Sequence, residues 1–316
     1  MSRFSLFVLL LAASCGSTGK STDNHKPAAE LATDKQAVIA AFRAGGEEWG
    51  SMREEIRTQP VLANFVVDNM IDQMIRSYKR AQVTHTGKSN GPFELAQSEL
   101  LELREYSTPV LAGLLEVSAR DAVVGFLAAD TLRRIGFEAA PQLIPKLDVE
   151  EAETRRRVLV LFAGMDFVVE PPSAASEALV TRVIEMAHSD PEWIVRGEAA
   201  TTLGAIGARM QKRKRIRDAL TQCLLDEDTD VRCSTELALG TLGDPRSFPV
   251  LMEVLGREID LGSPRNMAAA RRSLIELSQD PSLEQRGRGF SIRDWQGYWS
   301  EHRDRLLRAP NEPQQP

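Results

Sequence analysis

Two stretches of the chain share one skeleton: "DPEWIVRGEAATTLGAIG" at 190–207 and "DEDTDVRCSTELALGTLG" at 226–243. Asp190 aligns with Asp226, Val195 with Val231, Arg196 with Arg232, Leu203 with Leu239, Gly204 with Gly240 and Gly207 with Gly243. This return after 36 residues restricts the fold more than any other feature. A fixed period of roughly 20–50 residues marks units that stack side by side, each too small to cover its own apolar face. Ile216, Leu220, Cys223 and Leu224 fall on one helical stripe, and Val231, Thr235, Leu239 and Leu242 on a second. Each unit therefore reads as two antiparallel helices with Leu203 and Leu239 in the interior. Gly207 and Gly243 are expected at the left-handed position that ends a second helix.

The pattern extends beyond these two units. "STPVLAGLLEV" with "DAVVGFLAADTLRRIG" forms a unit at about 107–136, and "FEAAPQLIPKL" with "ETRRRVLVLFAGM" forms one at 137–166. A third runs from "SEALVTRVIEMA" to Gly207, a fourth covers 208–243, and a fifth runs from "DPRSFPVLMEVL" to about 279. Pro109, Pro141 and Pro249 hold equivalent places in their first helices. Residues 34–106 read as an N-terminal helical cap, in which Met70 and Met74 fill a core. The segment 280–308 reads as a capping helix over the fifth unit, with Ile292, Trp295, Trp299 and Leu306 on one side, begun by Ser291 with Asp294. Residues 309–316 read as a disordered tail. Aromatics are only 6% and no stretch alternates in the manner of a strand, so the fold class is all-α: a solenoid of about five helix pairs with caps at both ends.

The array resembles the HEAT-repeat family, which marks its first helix with Pro and sets Asp six residues before Arg at the second. "DPEWIVR" and "DEDTDVR" match that spacing. The resemblance implies an inter-repeat ladder of Asp190, Arg196, Asp226 and Arg232. The first, second and fifth units lack the ladder: Gly125 and Met267 stand at the Arg position, and the second has Arg155 without its Asp. The resemblance further implies that second helices line a concave binding face. Opposite their buried stripes stand Asp130 and Arg133, Arg156 and Val160, Thr201, Leu237 and Arg272. An extended or acidic segment of a protein partner is expected there.

The chain begins "MSRFSLFVLLLAASCGSTGK". The apolar run after Arg3 is too short to cross about 30 Å of hydrocarbon and reads as a signal segment, residues 1–14. "LAASC" resembles a bacterial lipobox, which implies acylation at Cys15; an ordinary secretory signal with an incidental cysteine is the other reading. Two or three acyl chains would hold the protein on a membrane, with the polar residues 15–33 as a tether. Gly16 rather than Asp after the cysteine favours the outer membrane of a bacterial cell envelope.

Little else points to chemistry. The four histidines are scattered, no metal-ligand spacing occurs, and no nucleophile elbow or phosphate-cradling loop is present. No metal and no cofactor are expected. A net charge of −6 argues against a nucleic-acid binder. Cys223 lies on an apolar stripe while Cys233 is expected to face away from the packed side, so no disulfide is expected between them. The basic run Lys212, Arg213, Lys214, Arg215 and Arg217 is either a solvated turn or an anionic surface contact. The reading is a lipid-anchored, non-enzymatic scaffold that binds a protein partner, of unstated oligomeric state. The alternatives are a lyase-like enzyme of similar repeats, or a binder of anionic lipid or polyanion through 212–217.

Overall fold

The structure, a computed structural model, describes residues 35–42, 46–84, 91–117, 121–165, 173–209 and 213–308. Every regular element among them is helical. Contacts divide the chain into two units, Met1–Leu62 and Ala63–Pro316, so the 34–106 segment expected to form one cap is shared between them. The first unit contains α1 (35–42) and α2 (Gly46–Arg57). Phe42 meets Trp49 edge-on with ring centroids 5.1 Å apart, an arrangement that suits the ring quadrupoles. The helix α3 (Pro60–Thr84) starts at the end of this unit.

The second unit is an array of helix pairs. Its members are α5 (Arg104–Val117) with α6 (Ala122–Ile135), a broken first helix with α8 (Ala152–Gly164), α9 (Ala174–Ser189) with α10 (Trp193–Arg209), α11 (Arg213–Cys223) with α12 (Thr229–Leu242), and α13 (Phe248–Asp260) with α14 (Pro264–Ser278). The second helices α6, α8, α10, α12 and α14 stack in that order, each against the next. Leu203 and Leu239 are fully buried, as the stacking argument requires.

The first helix of the second pair departs from the expected continuous helix. It is split into a 3-10 turn Gly136–Ala139, one α-turn Ala140–Leu143 (α7) and a second 3-10 stretch Ile144–Asp148. Pro141 and Pro145 lie four residues apart here, and each removes an amide donor and crowds the preceding turn. Pro109 sits inside α5 and Pro249 in the first turn of α13, where a missing N–H costs nothing.

Two other expectations are corrected. Gly243 does end α12 in the left-handed region at φ +66°, but Gly207 is helical and lies within α10. A Cβ there would stand 2.5 Å from Leu242 Cδ1 and 2.9 Å from Ile216 Cδ1, so this glycine permits close packing and ends nothing. Cys233 is buried rather than turned to solvent. The reason is that α12 is sandwiched between α10 and α14, so both of its flanks are covered. Cys223 and Cys233 are both free thiols.

Both ends of the array are covered. At one end Met74 of α3 receives a contact from the Thr131 hydroxyl of α6, and Gln97 of α4 (Gly91–Glu102) donates to Asp130 at 2.8 Å. Lys79 pairs with Asp121, the N-cap of α6, at 2.8 Å. At the other end α15 (Leu283–Arg286) and the 3-10 turn Gly287–Gly289 lead into α16 (Ile292–Leu307). A capping box of Ser291 and Asp294 begins α16. Trp299 stacks on Phe248 at 5.1 Å and Trp295, wholly buried, meets the same ring edge-on. The tryptophans thus seal the fifth pair. No helix among the described residues is long and apolar enough to cross a membrane.

Candidate functional site

The units are joined along one edge by a line of guanidinium–carboxylate pairs. Arg155 donates to Asp190 through Nε at 2.9 Å and Nη2 at 2.7 Å. Arg196 repeats this with Asp226 at 2.7 and 3.0 Å. Each arginine also donates Nη1 to carbonyls of its own turn: Arg155 to Val149 and Glu150, Arg196 to Asp190 and Pro191, Arg232 to Asp226 and Glu227. An arginine therefore needs the aspartate of the following unit, not its own. This corrects the reading that the second unit stands outside the ladder: Arg155 opens it. Gly262 stands 36 residues after Asp226, so Arg232 finds no next aspartate and reaches Glu258 at 3.5 Å instead. Hydrogen bonds from Arg196 hold the Asp226 carboxyl below its usual range against the opposing effect of burial.

That ending leaves an unusual cluster. Glu258 of α13 and Glu236 of α12 are both wholly buried. Glu258 accepts from Arg257 at 2.9 Å. Glu236 receives only a long contact from Asn266 of α14 at 3.4 Å, and its Oε2 has no hydrogen-bond partner. Burial, then the nearby charge of Glu258, push the Glu236 carboxyl up to about 8. Nothing in the repeat pattern marked these residues; two glutamates 22 residues apart carry no motif.

The face formed by the second helices brings together the residues singled out for partner binding. Arg133, Thr201 and Arg272 are exposed, whereas Arg156 and Leu237 are half-buried. The three arginines do not form a bare cationic strip. Arg133 pairs with Asp130 at 2.9 Å, Arg156 with Glu153 at 2.9 Å, and Arg272 with Glu276 at 2.9 Å. Arg156 also reaches Glu198 of α10 at 3.7 Å, and Arg265 of α14 pairs with Asp230 of α12. Between these pairs Phe126, Val160 and Ile194 are exposed on α6, α8 and α10. Helical spacing places Phe126 with Asp130 and Arg133, Val160 with Arg156, and Ile194 with Glu198 and Thr201. Of these three only Val160 was singled out from the sequence; the stacked helices add Phe126 and Ile194.

The basic run does not present one surface. Arg213 and Lys214 are exposed, and Arg215 bonds Thr181 of α9 at 2.8 Å. Arg217 turns inward to Asp244 at 2.8 Å, so it ties the fourth pair to the fifth and is unavailable to a ligand. Lys212 and Cys15 lie outside the described residues. The Cys223 thiol is pushed up to about 12, chiefly by burial, which removes it as a nucleophile at ordinary pH.

Cavities open on the array, and they include two bordered by described residues. One of about 370 Å³ is bordered by Pro191, Trp193, Arg196, Glu227 and Asp228 at the ladder edge. Another, of about 510 Å³, lies over α14 and is bordered by Arg271, Arg272, Ile275, Glu276, Glu284 and Arg288, among others. Neither is lined by Glu236 or Glu258.

Residues 180–271 match the sequence profile of HEAT repeats. No curated protein matches the chain. Among solved structures, two engineered proteins are similar at 18% identity each. The first covers 67% of this chain and 96% of its own with a TM-score of 0.38. The second covers 93% and 83% with a TM-score of 0.37. The matched profile covers α10 to α14 and the Arg196–Asp226 rung of the ladder: residues 180–271 carry HEAT repeats, set within an all-α solenoid whose stacked second helices run on to α6.

Proposed function

We infer that this protein is a lipid-anchored scaffold of a bacterial cell envelope, which holds a protein partner along the face of its second helices. The observation that carries the binding reading is the alternation on that face. Phe126, Val160 and Ile194 are exposed on three successive second helices, which also carry the Arg133–Asp130, Arg156–Glu153 and Arg156–Glu198 ion pairs. Such a mixture suits an extended polypeptide that offers apolar side chains and polar main chain together; a purely acidic strand would have to displace Asp130, Glu153 and Glu276 from their arginines. A non-enzymatic role agrees with the chemistry on view. The buried carboxylates Glu236 and Glu258 border neither of the two cavities described above, and burial pushes the Cys223 thiol up to about 12.

Anchoring rests on "LAASC" at 11–15, and the absence of Asp after Cys15 favours the outer membrane. A photoreactive amino acid placed at Val160 and at Thr201 in growing cells should capture one and the same protein. The same probe at Glu185, exposed on the first-helix side, should not. Equal capture at all three positions would remove the binding reading. Cys15→Ser should release the protein from membranes and abolish its labelling by an alkynyl fatty acid.

A further inference from the structure

We propose that the 510 Å³ cavity over α14 is a receptor for a carboxylate of an acidic peptide segment, gripped between Arg271 and Arg288. This deepens the scaffold reading and rests on it, since Arg272 belongs both to the partner face and to the wall of the cavity.

The cavity exists because a glycine lets two elements meet. A Cβ on Gly287 would stand 3.0 Å from Ile275 Cγ1 and 3.1 Å from Trp295. Glycine therefore lets the 287–289 turn press onto α14, and this brings Arg288 round to the side of Arg271 and Arg272. Three guanidinium groups and two carboxylates then border one space with an apolar patch of Ala268 and Ile275. The volume falls within the range of small-ligand sites, roughly 300–1,000 Å³.

The charges in this space are not balanced internally. Arg272 is occupied by Glu276 at 2.9 Å. Glu276 Oε2 in turn lies where a Cβ of Gly240 would be only 2.8 Å away, so it is held against α12. Arg271 and Arg288 have no ion pair or side-chain hydrogen bond among the described residues, and the Nε of Arg271 is buried without an acceptor. A buried guanidinium donor left without an acceptor is the exception in folded proteins and calls for a reason. An incoming carboxylate would supply two oxygens to such a fork. Elsewhere on the partner face each arginine already holds a carboxylate of its own chain, so this is where a partner's acid meets least competition.

Glu284 narrows the ligand class. It too borders the cavity and has no ion-pair partner among the described residues. A carboxylate acceptor beside two free guanidinium groups suits a singly charged carboxylate with a neighbouring N–H donor, as an acidic residue of a peptide presents. It opposes a phosphate dianion, which would meet Glu284 at short range.

The test uses full-length protein in mild detergent and two fluorescein-labelled peptides, oligoglutamate and oligoglutamine of equal length, followed by fluorescence anisotropy. Oligoglutamate should bind and oligoglutamine should not. The double variant Arg271→Gln with Arg288→Gln should weaken binding about tenfold or more, whereas Arg293→Gln with Arg303→Gln, exposed on α16, should change it less than about twofold; Arg133→Gln with Arg156→Gln tests the partner face as the competing site. Because Arg271 is half-buried, the single variant Arg288→Glu, on an exposed turn, serves as a check that cannot be mistaken for misfolding, and it should also abolish binding. Unchanged binding in both the double variant and Arg288→Glu overturns the proposal. So does displacement of the peptide by inorganic phosphate as readily as by unlabelled oligoglutamate. Loss of binding only in the Arg133 and Arg156 pair overturns the cavity while leaving the partner face standing. Failure of oligoglutamate to bind at all overturns the cavity too, and the partner face is then judged by the cross-links at Val160 and Thr201.

Discussion

Replacing Glu236 by Gln should change how the stability of this protein depends on pH. Glu236 is wholly buried between α12 and α14, with Glu258 and Arg257 facing it from α13, Arg232 from its own helix and Asn266 from α14. Its carboxyl has an ordinary value of 4.5 and stands at about 8 in the folded chain. Below the unfolded value both states hold the proton, and folding is not opposed by this group. As pH rises from there, the unfolded chain releases its proton while the native one keeps it, so stability falls until the native group also ionises near pH 8. At about 1.4 kcal/mol for each pH unit in that window, the loss is roughly 3–5 kcal/mol. Glutamine has the shape of the protonated acid and does not titrate. Wild type and Glu236→Gln should therefore match within about 1 kcal/mol near pH 5. The variant should be more stable by about 3 kcal/mol or more above pH 8.5. Urea unfolding followed by far-UV circular dichroism at a series of pH values reads this directly. Parallel curves for the two proteins from about pH 5 to pH 8.5 would refute the reasoning, because the proton would then not reside on Glu236.

Other expectations follow from packing and charge. Arg155→Ala leaves Asp190 buried without its fork and should cost about 3–5 kcal/mol, whereas Arg272→Ala, which breaks an exposed pair, should cost under about 1 kcal/mol; denaturant midpoints compare them. Gly204→Ala places a methyl group 2.6 Å from the Ala238 carbonyl oxygen and should destabilise by about 1–3 kcal/mol or more. Gly197→Ala, with Ser234 Oγ at 3.4 Å, should be neutral or stabilising by up to about 1 kcal/mol through helix propensity. Leu203→Ala and Leu239→Ala should each cost about 2–5 kcal/mol, measured by thermal unfolding.

The sequence alone determined the repeat and the helical pairs, because those rest on local periodicity: a stripe such as Ile216, Leu220 and Cys223 can be recognised without knowing what covers it. Asp190, Arg196, Asp226 and Arg232 were legible for the same reason, since their spacing recurs. What the tertiary structure decided is who meets whom across units. Arg155 looked incomplete because its aspartate lies 35 residues ahead, in the next unit. Gly207 looked like a helix end because its skeleton matched Gly243, yet the demand on it comes from Leu242 and Ile216 of the neighbouring pair. Cys233 seemed to face outward because one helix has a free side, which a third helix then covered. The buried Glu236 and Glu258, and the arginines around the α14 cavity, follow no local period. They arise where the ladder runs out of aspartates and where Gly287 lets a turn close on α14, and only three-dimensional neighbours set those conditions.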